Sequence, residues 1–166
     1  SLNSGSDITT IGNELDNIRA YLSIQLTLTD NAFQVAYDLD ESLLDLSIPC
    51  LILQPLVENA IEHGLRNSRK AEKRIRIRLC RDEAGRTALI QIQDNGIGIP
   101  ADRLREIFLL ETDHIGIRNV NERLRLFFGE EYGLSVSSIP GRETEAVIRI
   151  PLSGAASCDR DQRESE

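Results

Sequence analysis

Glu58, Asn59, Glu62 and His63 fall within a predicted helix over about 49–66, PCLILQPLVENAIEHGLR. At helical spacing they share one polar face, opposite Leu53, Leu56, Val57, Ala60 and Ile61. An Asn side-chain oxygen is a hard ligand suited to a hydrated Mg2+, and a neighbouring carboxylate can orient or deprotonate a hydroxyl or water. The same stripe also reads as a solvated helix face. Yet Glu58 and Glu62 are like charges at i,i+4, and Asn is a poor mid-helix residue. Neither helps a helix that only has to be soluble. His63, beside Gly64, reads equally well as a C-terminal cap. The residues do not point to zinc chemistry: the only other histidine is His114 and no HExxH is present.

A second group is IQDNGIGIP, residues 92–100. Asp94 ends an apolar alternation, and Gly96 and Gly98 permit backbone conformations and approaches that side chains forbid. A carboxylate there can accept from an exocyclic amine, and Ile97 and Ile99 can wall an aromatic base. A strand followed by Asp-Asn-Gly is also a common turn. The run GIGIPA matches a dinucleotide fingerprint, but Pro100 cannot donate where a phosphate would sit, and no βαβ unit surrounds it. An EF-hand loop is excluded by the spacing of its oxygen donors.

The third group is TDHIGIRN, residues 112–119, which opens a helix. Gly116 and the following amide N–H groups would form an anion site, to which Arg118 and Asn119 could add donors. The plain alternative is an amphipathic helix capped by Thr112 or Asp113.

The elements that must carry these groups follow from periodicity. Ile11, Leu15, Ile18, Leu22 and Leu26 predict a helix over about 10–28. Phe33–Leu39, Lys73–Arg81 and Thr87–Asp94 alternate as strands, the last two joined by DEAGR as an antiparallel hairpin. In the predicted helix at 49–66, Pro49 suits the start and Gly64 the end, with a kink or restart at Pro55. A short helix is expected within 100–110. IGIRNVNERLRLFF, residues 115–128, is a strong helix with Ile117, Val120, Leu124 and Phe127 or Phe128 inward. Strands at about 134–138 and 144–150 close the fold. The expected class is α+β: a two-layer sandwich of a mixed, mostly antiparallel sheet with helices on one face.

The 166 residues suffice for one domain with a real core, and the formal net charge of −8 argues against nucleic-acid or anionic-membrane binding. Cys50, Cys80 and Cys158 are scattered, which fits a reduced, cytosolic domain better than a disulfide framework. No run is long and apolar enough to span a membrane. The chain contains no Met, so it reads as a piece of something longer, and its end, SGAASCDRDQRESE, reads as a disordered tail.

Taken in order, LQPLVENAIEHGL, DNGIGIP and HIGIRNVNERL resemble the N, G1 and G2 boxes of the sensor histidine kinases, which belong to the GHKL (Bergerat-fold) ATPases. VENAIEHG, GIRNVNERL and FFGEEYGL are similar to the LytS/YesM-type branch, and the resemblance spans residues 14–152. It implies ATP and Mg2+ as ligands, with Asn59 on the metal and Glu58 as the catalytic acid that activates the phosphoacceptor. It implies that Asp94 binds the adenine amino group, with His63, Gly96, Gly98 and Ile99 around the nucleotide. Residues 99–114 would form an ATP lid, and Gly116, Ile117, Arg118 and Asn119 would face the phosphates.

The same resemblance divides the chain into 1–28, a linker ending an upstream dimerisation module, 29–152, the ATP-binding catalytic domain, and 153–166, the tail. It implies γ-phosphoryl transfer to a histidine upstream of this segment and relay to a response regulator. The parent would be a homodimeric bacterial membrane protein with this domain on the cytoplasmic side. The resemblance implies no nucleic-acid partner and no direct membrane contact by this domain. Another GHKL ATPase, a serine kinase, or a degenerate nucleotide-binding interaction module are the alternatives. Three positions depart from the branch: Glu62 replaces a basic residue, His114 a glycine, and Gly141–Thr144 reads G-R-E-T for G-x-G-T.

Overall fold

A computed structural model describes residues 7–108 and 115–152 of the chain. The elements run β1 (Ile8–Thr10), α1 (Ile11–Leu28), β2 (Gln34–Leu39), a 3-10 turn (Glu41–Leu43), β3 (Ser47–Pro49), α2 (Leu53–Asn59), a π-helical turn (Ala60–Leu65), β4 (Arg74–Arg81), β5 (Thr87–Asp94), α3 (Ala101–Glu106), α4 (Ile115–Phe128), β6 (Gly133–Ile139) and β7 (Glu143–Pro151). The main sheet has the order β2-β4-β5-β7-β6, with β2 parallel to β4 and the other neighbours antiparallel. This is the mixed, mostly antiparallel sheet expected, covered by helices on one face.

The one-sided cover follows from the strand alternation. In β4, Ile75, Ile77 and Leu79 are buried while Arg74, Arg76 and Arg78 are exposed. Asp38 of β2 meets the arginine row, 3.3 Å from Arg78 and 3.6 Å from Arg76. Exposed pairs of this kind contribute at most about 1 kcal/mol, so the covered face holds the sheet. That face meets Ile11, Leu15, Ile18 and Leu22 of α1, and Ile117, Val120, Leu124 and Phe128 of α4, all buried. Each such side chain contributes roughly 1.5–3 kcal/mol on full burial. Of the two candidates at the end of α4, Phe128 is the buried ring, with Phe127 packed edge-on against it.

Helix α1 lies in the stretch expected as a linker and the end of an upstream dimerisation-module helix, and its buried row belongs to the same hydrophobic core as β4, β5 and α4. A two-stranded antiparallel sheet, β1 with β3, fixes where α1 begins. It brings the first turn of α1 to the segment that starts α2.

The helix expected over 49–66 is corrected in three respects. Pro49 closes β3 and does not start the helix; α2 begins at Leu53. Pro55 lies in the first turn, where its amide would have no intrahelical partner, so no kink is needed. Gly64 does not end the helix: the chain widens into the π-helical turn and passes through it. The predicted tail, residues 153–166, and most of the second half of the predicted lid, residues 109–114, lie outside the described residues.

Candidate active site

Asp94 is the last residue of the core-facing row of β5, after Ala88, Ile90 and Ile92. It is 4% exposed and stands opposite Thr144 of β7. The sheet alternation thus delivers a carboxylate to the covered face at the point where the cover opens. An open cleft lies there, with about 480 Å3 of empty space continuous with solvent. Ile92, Asp94, Val136, Thr144 and Ala146 form its floor. Leu56, Asn59, Ala60, His63 and Gly64 form one wall, and Gly98, Ile99 and Ile117 the other. The arrangement is a mostly apolar slot with few polar groups, the usual composition of a small-molecule site.

Burial pushes the Asp94 carboxyl up to about 6; Glu143 adds to that, while the Gly96 N–H and the Lys70 ammonium oppose it. Gly96 N donates to Asp94 Oδ1 at 2.9 Å. The loop after Asp94 is shaped by close backbone approaches. A Cβ on Gly96 would lie 2.2 Å from the carbonyl oxygen of Gly64, and one on Gly64 would lie 2.4 Å from Asp94 Oδ1. Gly98 has φ +71°, and a Cβ there would meet Ile139 O at 2.5 Å. The next residue is held from β6: Ile99 N donates to Ser138 Oγ at 2.7 Å, and Ser138 Oγ donates to Glu143 O at 2.7 Å.

The wall that carries Asn59 and His63 is held at its start by a residue far away in sequence. Helix α2 has no side-chain cap of its own. Glu14 of α1, 5% exposed, supplies one: Ile52 N and Leu53 N donate to Oε2 at 3.1 and 2.9 Å, and Leu51 N donates to Oε1. An acid at a helix N-terminus satisfies unpaired N–H groups and the helix dipole together.

The structure brings Asn59, His63, Asp94, Gly98, Ile99 and Ile117 to one cavity. Gly96 supports it from behind, against Gly64. Glu58 lies outside the cavity lining, accepting from Gln54 Nε2 at 3.1 Å on the side of Tyr21. Burial raises the Tyr21 hydroxyl, and the Glu58 and Glu62 carboxylates raise it further. Glu62 is paired with Arg66 at 2.7 Å, which offsets the negative charge it brings in place of a basic residue. Gly116 opens α4 on the surface, near Pro55, whereas Arg118 pairs along its own helix with Glu122 at 3.2 Å and Asn119 is exposed. These three do not line the cavity. His114, which stands where the branch has a glycine, is outside the described residues.

Sequence reasoning missed Gly64 as a packing position, Glu14 as a cap and Lys70 altogether. Only Gly64 left a local sign: a glycine inside a periodic helix pattern.

Residues 45–154 match the profile of the histidine kinase-, DNA gyrase B- and HSP90-like ATPases. This chain belongs to that family. The GHKL fold agrees with solved neighbours: histidine kinase AdeS of Acinetobacter baumannii superposes with a TM-score of 0.63 at 14% identity, covering 89% of this chain and 68% of that one. Among sequence relatives, the sensor histidine kinase YesM of Bacillus subtilis (strain 168) is 34% identical over 154 residues, 91% of this chain and 25% of that protein. The sensor protein LytS of Staphylococcus epidermidis (strain ATCC 12228 / FDA PCI 1200) is 36% identical over 134 residues, 78% of this chain and 22% of that protein. The chain spans about a quarter of the length of both. The family is one of ATP-binding ATPase domains. No helix among the described residues is long and apolar enough to cross a membrane.

Proposed function

We propose that this GHKL domain binds Mg·ATP in the cleft between α2, α4 and the sheet, and is the catalytic domain of a two-component sensor histidine kinase. The observation that carries the reading is Asp94: a buried carboxylate on the floor of an apolar slot, with Asn59 and His63 on the adjoining wall. An adenine amino group would donate to Asp94, with the base between the aliphatic side chains of the slot. No cluster of three or more His, Cys, Asp or Glu that could hold a metal exists among the described residues. Mg2+ is commonly held by few protein ligands, by waters and by substrate phosphates, and Asn59 would be its side-chain ligand. When bound, the ion neutralises charge on the phosphates.

The γ-phosphoryl group passes to a nitrogen of a histidine on a helix outside this chain. The bond from the γ-phosphorus to the bridging oxygen breaks and ADP leaves. Glu58, outside the base slot on the Tyr21 side, accepts the proton of the attacking imidazole. Catalysis is then mostly positioning and charge neutralisation. The phosphohistidine would supply a response regulator. The whole protein would be a homodimer anchored in a bacterial membrane, with this domain on the cytoplasmic side.

Titrating Mg·ATP into the domain tests the first half. Binding that disappears in Asn59→Ala, with the unfolding transition retained, is expected. Absence of binding at millimolar nucleotide would favour a degenerate interaction module. A longer protein that includes the upstream region, given γ-labelled ATP, tests the second half. Acid-labile, base-stable label on a histidine is the expected product, and label on serine or none on protein would assign a different GHKL activity.

A further inference from the structure

Lys70 lies in the connection between the π-helical turn and β4, and its ammonium is shared between two other parts of the chain. Nζ donates to the carbonyl oxygen of Asn95 at 2.7 Å and to that of Arg142 at 2.8 Å. Asn95 follows Asp94 directly, and Arg142 lies in the turn between β6 and β7. The two parts also meet each other, since Gly141 N donates to Ile97 O at 2.6 Å. Asn95 is fixed further by its side chain, which accepts from Arg74 N at 2.7 Å and donates to Glu72 O at 2.9 Å. Charge-assisted bonds to two converging carbonyls are stronger and more directional than neutral ones.

We propose that Lys70 is a positioning residue for base recognition: it ties the loop after Asp94 to the β6–β7 turn and so sets the affinity of the cleft for ATP. This rests on the reading of the cleft as an ATP site. No cavity-lining role is involved, because Lys70 is not part of the cleft wall. It acts through Asn95, one residue from the carboxylate, and through the turn that supports Ile97 and Gly98. Its charge also reaches Asp94. The groups facing that carboxylate are the Gly96 N–H from its own loop, Lys70 from the α2–β4 connection and Glu143 from β7, with His63 across the cleft. Lys70 favours the ionised form and Glu143 opposes it.

The test is calorimetric titration of Mg·ATP into the wild-type domain, Lys70→Met and Lys70→Arg, between pH 5.5 and 8. Lys70→Met should weaken ATP by roughly tenfold at pH 8, and should move the midpoint of the pH dependence upward. Ionisation of the ATP phosphates is common to all the proteins and cancels. Lys70→Arg, which keeps the charge and can still bridge two carbonyls, should restore both. Should Lys70→Met not fold, Lys70→Gln keeps neutral donors to the carbonyls, and the upward midpoint shift is read there. Unchanged affinity in Lys70→Met overturns the proposal. So does a weakened affinity with an unmoved midpoint, which would mean that Lys70 acts through general stability and not at the carboxylate that recognises the base. If the wild-type domain fails to bind Mg·ATP, the ATP reading falls and this inference with it. Binding by the wild type with no effect of Lys70 overturns this inference alone.

Discussion

Gly64 and Asp94 occupy a space that admits no side chain between them: a Cβ on residue 64 would stand 2.4 Å from Asp94 Oδ1. Residue 64 belongs to the helix that carries Asn59, and Asp94 to the central strand of the sheet. The wall of the cleft and its floor are therefore in contact through a missing methyl group. Gly64→Ala should lower stability by about 1–3 kcal/mol through overpacking and weaken ATP. Gly96→Ala should cost more, because its Cβ would meet backbone, Gly64 O at 2.2 Å, with no side chain to move aside. Urea unfolding of the two variants checks the order, and equal or reversed losses would contradict this packing.

Gly116 provides the contrast. Among the described residues, a Cβ there would meet only Pro55 Cβ, at an ordinary 3.5 Å. Gly116→Ala should leave stability unchanged or raise it by up to about 1 kcal/mol, from helix propensity alone. A large loss in thermal unfolding would mean that the start of α4 is packed differently.

The pH dependence of stability follows from Asp94. Its carboxyl is raised from 3.8 to about 6 in the folded protein, mainly by burial. Between those values the folded state holds a proton that the unfolded state has released. The associated stability is fully present below pH 3.8 and is lost as pH rises through about 6. The loss is on the order of 3 kcal/mol, from the cited shift at about 1.4 kcal/mol per unit. Asp94→Asn should flatten the denaturant midpoint between pH 4 and 7 and be the more stable protein at pH 8. It should also bind ATP about tenfold more weakly or worse. An unchanged pH profile in the variant would show that some other group titrates.

Glu14 has a predicted role far from its own helix. Glu14→Ala removes the acceptor for Ile52 N and Leu53 N and leaves those amides buried. A loss of roughly 2 kcal/mol is expected, together with weaker Mg·ATP binding, because α2 carries Asn59. Hydrogen exchange should be fastest at residues 51–54. Unaltered exchange there would argue against the cap.

Glu58 and Asn59 are adjacent but should separate functionally. Asn59 lines the cleft and Glu58 does not. In a longer protein with its acceptor helix, Glu58→Gln should slow histidine phosphorylation at least tenfold while leaving ATP affinity within about twofold. A phosphorylation rate equal to wild type would remove Glu58 from the proposed proton transfer.

The sequence by itself determined the local elements and the residue types of the site. The strands ending at Arg81 and Asp94 and the helix from Ile115 to Phe128 agree closely with their periodicity. Asp94 ends the apolar alternation legible in the sequence, and the strand sets it in the buried row with Ala88, Ile90 and Ile92. A period of two or 3.6 is written in neighbouring residues, so it can be read without knowing what they touch. The ends of α2 could not be read this way. Pro49 and Gly64 carry the usual punctuation, but strand pairing claimed the first and close packing against Asp94 and Gly96 set the use of the second. Contacts between distant residues leave no periodic trace. The Glu14 cap joins residues 38 and 39 apart, and the Lys70 tie spans 25 and 72. Only the tertiary structure, which closes those loops, decided that an acid in α1 holds α2 and that a lysine outside the cleft holds its floor.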